Sequence, residues 1–220
     1  VYAEDPTKNF SPSIGTLTTY KEPNSVQFTQ GAVRCDSGIL QGSEISVYYD
    51  PMISKTIAWG KDRNESIARM VDALDTYIVA GVKHNIPLLR AVLEHKDYVS
   101  GKFSTYFLKD HYSNFKGIEL NEQQKTHLAA SAAIMEFLIS KRDMETTGKL
   151  ETHVAPTEQD FVVEINKEKF PVTISEENDV FIVDLHLQKE IDIIASTNWR
   201  VGDVIFRAKL NNTNNVTMQL

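Results

Sequence analysis

The feature that most constrains the fold is a change of period partway along the chain. Between residues 62 and 145 apolar residues recur at helical spacing, and from Asp160 they alternate every second position. "DFVVEI", "KFPVTI", "DVFIVDLHL", "EIDIIA" and "DVIFRAKL" read as short strands, with loops such as "SEEND" and "STNWRVG" between them. A spacing of roughly ten residues per strand predicts an antiparallel meander curling toward a barrel or sandwich. "NNVTMQL" reads as one more strand. A meander that stops there leaves an unpaired edge, so this domain is expected to be incomplete at its C-terminal end.

Ahead of the meander the helical signal is explicit. In "DRNESIARMVDALDTYIVAGVKHN", Ile67, Met70, Val71, Leu74, Tyr77 and Ile78 form one apolar stripe, with Asp62 or Asn64 as the cap and Gly81 as the stop. A second helix takes Asn85 as its cap and Pro87 in its first turn, followed by "LLRAVL". The pattern breaks through "KDHYSNFKGIE", which reads as a linker. Asn121 then opens a long third helix whose buried face carries Leu128, Ile134, Phe137 and Leu138. Glu122 at its start and Lys141-Arg142 near its end suit the helix dipole. The first 60 residues are turn-rich, with strand-like "GTLTTY" and "EISVYYD" punctuated by Gly31, Gly38 and Gly42. The class is α+β, in two domains.

Composition excludes more than it selects. A chain 41% hydrophobic and 24% charged is ordinary for a soluble globular protein. Its longest apolar runs fall far short of the roughly 18 residues of a membrane span. A net charge of −7 argues against a nucleic-acid partner, which wants a basic field. The single cysteine, Cys35, rules out an internal disulfide and suits a reducing compartment. In that setting the glycosylation-type triplets at Asn64, Asn211 and Asn215 read as chance. The opening "VYAEDP" has no initiator Met and no leader pattern, so the chain is expected to start within a longer protein.

Motifs that carry chemistry are scarce. The six histidines stand at 84, 95, 111, 127, 153 and 186 with no pair at HxxxH spacing, so no metal site is expected. There is no G-x-S-x-G and no Gly-rich phosphate loop. Cys35 reads as a half-buried strand cysteine. Asp50 closes an apolar strand beside Pro51, as a site carboxylate or a turn cap. Arg34, within "AVRCDSG", reads as a solvated or interface arginine.

One ordered combination says more. "VYAEDPTKNFSPSIG", "VRCDSGILQGSEISVYYDPMISK", "DALDTYIVAGVKHNIPLLRAV" and "GKFSTYFL" together resemble the C-terminal lobe of the biotin carboxylase domain, of ATP-grasp type, in biotin-dependent carboxylases. The resemblance covers residues 1–108. The continuation, "FKGIEL" into a long helix and a meander, is most similar to the propionyl-CoA carboxylase branch of alpha subunits. Alpha subunits of the 3-methylcrotonyl-CoA type share the pattern of this second half. The domain organisation implied is a carboxylase C-terminal lobe at 1–108, a linker at 109–120, and a helix plus part of an antiparallel barrel at 121–220. In the family this last domain tethers the biotin carrier and meets the carboxyltransferase beta subunit.

The resemblance implies a full-length ligase that carboxylates carrier-bound biotin with ATP, magnesium and bicarbonate, for conversion of propionyl-CoA to methylmalonyl-CoA. Its arginine for the biotin enolate directly precedes the position of Val1. Its magnesium and ATP groups are expected further upstream, and its biotinyl lysine beyond Leu220. This chain alone is therefore expected to be inactive, with no catalytic residue of its own. By motif position Phe10 matches an aromatic residue in contact with biotin. Asp50 matches an aspartate that supports the arginine. Arg34 matches a position at a carboxylase dimer interface, and Thr105 and Tyr106 match the adenine edge. The implied partners are the beta subunit and the carrier domain, with no nucleic acid and no membrane. The implied location is the mitochondrial matrix in a eukaryote or the cytoplasm in a bacterium. A second reading is a non-catalytic scaffold that docks on a beta subunit through its helix and strands.

Overall fold

Short strands paired two by two, rather than one continuous sheet, organise the first half of the chain. The computed structural model describes residues 1–23, 32–145 and 157–219, and divides into two units, Val1–Glu119 and Leu120–Leu220. Gly31, His153 and Leu220 lie outside the described residues.

The first unit begins with β1 (Glu4–Asp5), a 3-10 turn (Pro6–Lys8), β2 (Ser11–Pro12), β3 (Gly15–Thr16) and β4 (Thr19–Lys21). It continues with β5 (Ala32–Ser37), β6 (Glu44–Ile45), β7 (Ser54–Trp59), α1 (Arg63–Asp75), β8 (Ile78–Ala80), α2 (Ile86–Glu94), α3 (Lys96–Val99) and α4 (Phe107–Tyr112). All the pairings are antiparallel: β1 with β2, β3 with β6, β4 with β8, and β5 with β7. These small ribbons share one core with the helices, built on Leu17, Ile45, Ile53, Leu74, Tyr77, Val79, Ile86 and Leu93.

Three expectations change here. Helix α1 stops at Asp75, short of Gly81, because Thr76 turns its hydroxyl back onto the Asp72 and Ala73 carbonyls. β-Branched Ile78 and Val79 then pair with Lys21 and Tyr20 as β8, since a ladder bond to a distant strand outweighs one more helical turn. "EISVYYD" is strand only at Glu44–Ile45; Tyr48 and Tyr49 stand more than four-fifths exposed in the turn beyond. The expected linker at 109–120 starts inside α4, whose Tyr112 hydroxyl donates to the Ala91 carbonyl at 2.9 Å. The Asp62 cap and the first-turn Pro87 fall where the sequence places them; Asn85 holds the cap position, but its Oδ1 accepts the Tyr2 N–H at 2.9 Å rather than an amide of its own helix.

The second unit is a helix in a curled sheet. Asn121 Oδ1 accepts the Gln124 N–H at 2.8 Å and Gln124 Oε1 accepts the Asn121 N–H at 2.9 Å, a reciprocal cap that opens α5 (Glu122–Glu145). Six strands follow in simple order: β9 (Glu158–Ile165), β10 (Glu168–Glu177), β11 (Val180–Leu185), β12 (Ile191–Thr197), β13 (Ile205–Leu210) and β14 (Asn214–Gln219). Left-handed residue pairs turn the chain at Asn166-Lys167, Asn178-Asp179 and Asn211-Asn212, the twist that tight hairpins require. Alternate strand residues, among them Phe170, Val172, Phe181, Val183, Ile193 and Phe206, close on Ala129, Ala130, Ile134 and Phe137 of α5. Small alanines let the sheet approach the helix over a broad face. Lys125 Nζ reaches Glu168 at 2.8 Å and Lys141 Nζ reaches Glu176 at 2.7 Å, so both ends of α5 are tied along β10.

Candidate functional site

The N-terminal strand is the scaffold on which two of the expected site residues hang. Tyr2 bridges Met52, and the Ala3 N–H donates to the Pro51 carbonyl at 2.8 Å. On the other side β1 pairs with β2. Asp50 immediately precedes the first ladder and Phe10 immediately precedes β2, so both flank the same short strand.

Phe10 is held in an unusual conformation. Asp5 Oδ1 accepts the Thr7 N–H at 3.0 Å and the Thr7 hydroxyl at 2.6 Å, which fixes the turn. Asn9 and Phe10 then both adopt left-handed backbone, at φ 52° and 57°. For a bulky residue that region costs on the order of 1 kcal/mol or more and is kept only where the surroundings impose it. The residue is half-buried.

Asp50 is exposed, and its Oδ1 accepts the Met52 N–H at 2.9 Å. This is the turn-capping role. One oxygen is engaged, and a carboxylate has lone pairs left for a cationic donor. Arg34 lies elsewhere, on β5 opposite Ile57, in an exposed ion pair with Asp36 at 3.0 Å. Thr105 and Tyr106 stand at the entry of α4, both exposed, Tyr106 at 64%. Neither they nor Arg34 belongs to the ladder that carries Asp50.

Cys35, on the same strand as Arg34, is half-buried and gives its thiol to Thr56 Oγ1 at 3.7 Å. Burial pushes that thiol up, away from the thiolate a nucleophile needs. Behind it lies a chain of hydroxyls. Tyr77 OH donates to Ser54 Oγ at 2.8 Å and stands 2.6 Å from Tyr20 OH, which in turn meets Ser37 Oγ. Desolvation raises both phenols, so this network holds its protons.

Sequence spacing missed one grouping. His95, Asp97 and His111 each offer a ligating atom within 4.8 Å of the other two. His95 is the extended residue between α2 and α3 and His111 lies within α4, and only the packing of α4 beside the α2–α3 corner relates them.

Comparison with known proteins gives a family for each half of the chain. Residues 1–110 match the family model described as the biotin carboxylase C-terminal domain, and residues 128–220 match the propionyl-coenzyme A carboxylase BT domain. The human mitochondrial propionyl-CoA carboxylase alpha chain is 53% identical over 135 residues, 60% of this chain and 18% of the relative. The propionyl-CoA carboxylase alpha chain of Ruegeria pomeroyi is 34% identical over 219 residues, 92% of this chain and 32% of the relative. Among solved structures, the biotin carboxylase subunit of pyruvate carboxylase is 39% identical with a TM-score of 0.49, over 54% of this chain and 25% of that one. The chain thus spans about a third or less of the length of the curated relatives it matches. It belongs to the biotin carboxylase C-terminal domain family, with a propionyl-coenzyme A carboxylase BT domain in its second half.

Proposed function

We propose that this chain is part of the alpha subunit of a biotin-dependent propionyl-CoA carboxylase. The observation that carries the reading is the pair of family matches, which take up residues 1–110 and 128–220 in turn, together with an alpha chain 34% identical over 219 residues. The whole enzyme carboxylates carrier-bound biotin at the expense of ATP, with magnesium and bicarbonate, and passes the carboxyl group to propionyl-CoA on a beta subunit.

The part played by these residues is support. Phe10, fixed at φ 57°, holds its ring at one wall of the biotin site. Asp50 keeps one oxygen on the Met52 amide and offers the other to the arginine that the family places just before Val1. A carboxylate so anchored orients a guanidinium fork without itself gaining or losing a proton. Arg34 serves a subunit interface, where its exposed ion pair with Asp36 would be re-formed or covered. Thr105 and Tyr106 edge the adenine pocket. They are exposed at a helix entry, and no glycine-rich phosphate loop accompanies them, so they do not by themselves make a nucleotide or magnesium site. The helix and sheet of the second unit form the tether to the beta subunit. In a eukaryote the site of action is the mitochondrial matrix, in a bacterium the cytoplasm; no described helix is long and apolar enough to cross a membrane.

The test is to capture the native polypeptide with an antibody to residues 75–89 and measure its mass, its streptavidin binding and its propionyl-CoA-dependent fixation of labelled bicarbonate. A biotinylated chain several times heavier than 24.9 kDa that fixes label with its beta subunit is expected. A native chain of 24.9 kDa without biotin or fixation would overturn the reading in favour of a scaffold.

A further inference from the structure

His95 ends α2 and caps α3, its Nδ1 accepting the Asp97 backbone N–H at 3.2 Å. The same Nδ1 lies 3.9 Å from Asp97 Oδ2, and His111 Nε2 approaches that oxygen to 3.7 Å. The two imidazole rings sit 4.4 Å apart, tilted by 46°. We propose that His95, Asp97 and His111 form a binding site for a divalent metal ion of the zinc class, with water completing the coordination.

The separations favour an ion over a hydrogen-bonded cluster. At 3.7 and 3.9 Å neither imidazole nitrogen is within hydrogen-bond reach of the carboxylate. Among the described residues no other group donates a hydrogen bond to that carboxylate. Three donors all within 4.8 Å of one another leave room for an ion between them. Its distance to each would be within about half an ångström of the 2.0–2.2 Å that zinc makes to imidazole nitrogen and carboxylate oxygen. Small side-chain rotations close that difference, and the three side chains are 22–37% exposed, free to make them.

The donor set decides the class of ion. Two nitrogens and one carboxylate oxygen suit zinc and its neighbours cobalt and nickel, whereas magnesium and calcium prefer oxygen throughout. The partial exposure leaves one side open to water, as in sites with three protein ligands. Packing holds the rings near their working positions. Phe107, itself buried, lies 5.1 Å from the His95 ring and 4.9 Å from the His111 ring, and Tyr112 ties α4 to the Ala91 carbonyl. To ligate through Nδ1, His95 gives up its cap on the Asp97 amide. That loss weakens the binding.

The experiment is a titration of the full chain with Co2+ followed by visible d–d absorption, with Zn2+ as competitor. One ion per chain, displaced by Zn2+, is expected. His95→Ala and His111→Ala should each weaken binding about tenfold or more, while His186→Ala should leave it unchanged. In the unaltered chain Zn2+ should protect His95 and His111, but not His186, from acylation read by mass spectrometry, a readout that needs no variant to fold. Absence of binding below millimolar Co2+, binding that survives both substitutions, or no selective protection would each overturn the proposal.

Discussion

The hydroxyl oxygens of Tyr20 and Tyr77 stand 2.6 Å apart inside the first unit, joining β4 to the short connection between α1 and β8. Tyr77 is fully buried and its hydroxyl donates a hydrogen bond to Ser54 Oγ, on a residue 2% exposed. The pair therefore links three sequence-distant segments, and its Tyr77–Ser54 end is buried away from water. Tyr77→Phe removes one partner from each of Ser54 and Tyr20, which keep Thr56 at 3.4 Å and Ser37 with Glu22 respectively, and is expected to cost about 1 kcal/mol in urea unfolding.

The same pair makes the first unit sensitive to alkali. Burial raises both phenols above their unfolded value of about 10. Their contribution is fully present below about pH 10 and is lost as pH rises through the raised folded values. Urea midpoints measured from neutral pH upward should hold up to about pH 10 and then fall. Tyr20→Phe should flatten that fall; an unchanged pH profile would contradict the assignment.

Among the described glycines of the first unit, Gly81 leaves the least room for a side chain. A Cβ there would lie 2.1 Å from the Thr16 carbonyl oxygen and 2.9 Å from the Thr18 nitrogen, at φ +98°. Both neighbours are backbone, and the Thr18 N–H is bonded to the Ala80 carbonyl at 2.9 Å, so neither can move aside cheaply. Gly81→Ala is expected to destabilise by about 3 kcal/mol or more, read as a lowered thermal midpoint and loss of near-UV dichroism.

Asn121 closes the reciprocal cap of α5, with both bonds exposed to solvent. Asn121→Ala should cost about 1 kcal/mol, and Asn121→Ser less, by denaturant unfolding. Because α5 is the strut of the second unit, hydrogen exchange should quicken first in its opening turn.

Asp50→Asn separates charge from structure. An asparagine oxygen can still accept the Met52 N–H, so the turn survives and the unfolding midpoint should not move. Without the negative charge the proposed support of an arginine is lost. In the complete alpha subunit, biotin carboxylation should then fall about tenfold or more in kcat with little change in KM for ATP. Unchanged kcat would remove Asp50 from the site.

Much of the second unit was legible in the letters. Strand alternation along β9 to β14 and the Asn121 cap are local signals, set by which face of a pleat or first turn is buried. The first unit was less legible. Tyr77 and Ile78 fit a helical stripe as well as a strand, and Tyr48 and Tyr49 carry strand propensity into an exposed turn. Phe10 gave a motif position but no hint of its left-handed backbone.

By itself, then, the sequence determined the element types wherever one periodic face met one core: α2, α5 and the six-strand meander. It also carried the ordered motifs that place the chain in its family. Tertiary structure decided where competing local preferences were broken by distant partners. β4 pulled Ile78–Ala80 out of the helical pattern, and the Thr16 carbonyl demanded glycine at 81. The packing of α4 beside the α2–α3 corner brought His111 to His95 and Asp97. The reason is physical: periodicity reports burial along a segment, whereas hydrogen-bond partners and ligand geometry depend on which segments the fold sets side by side.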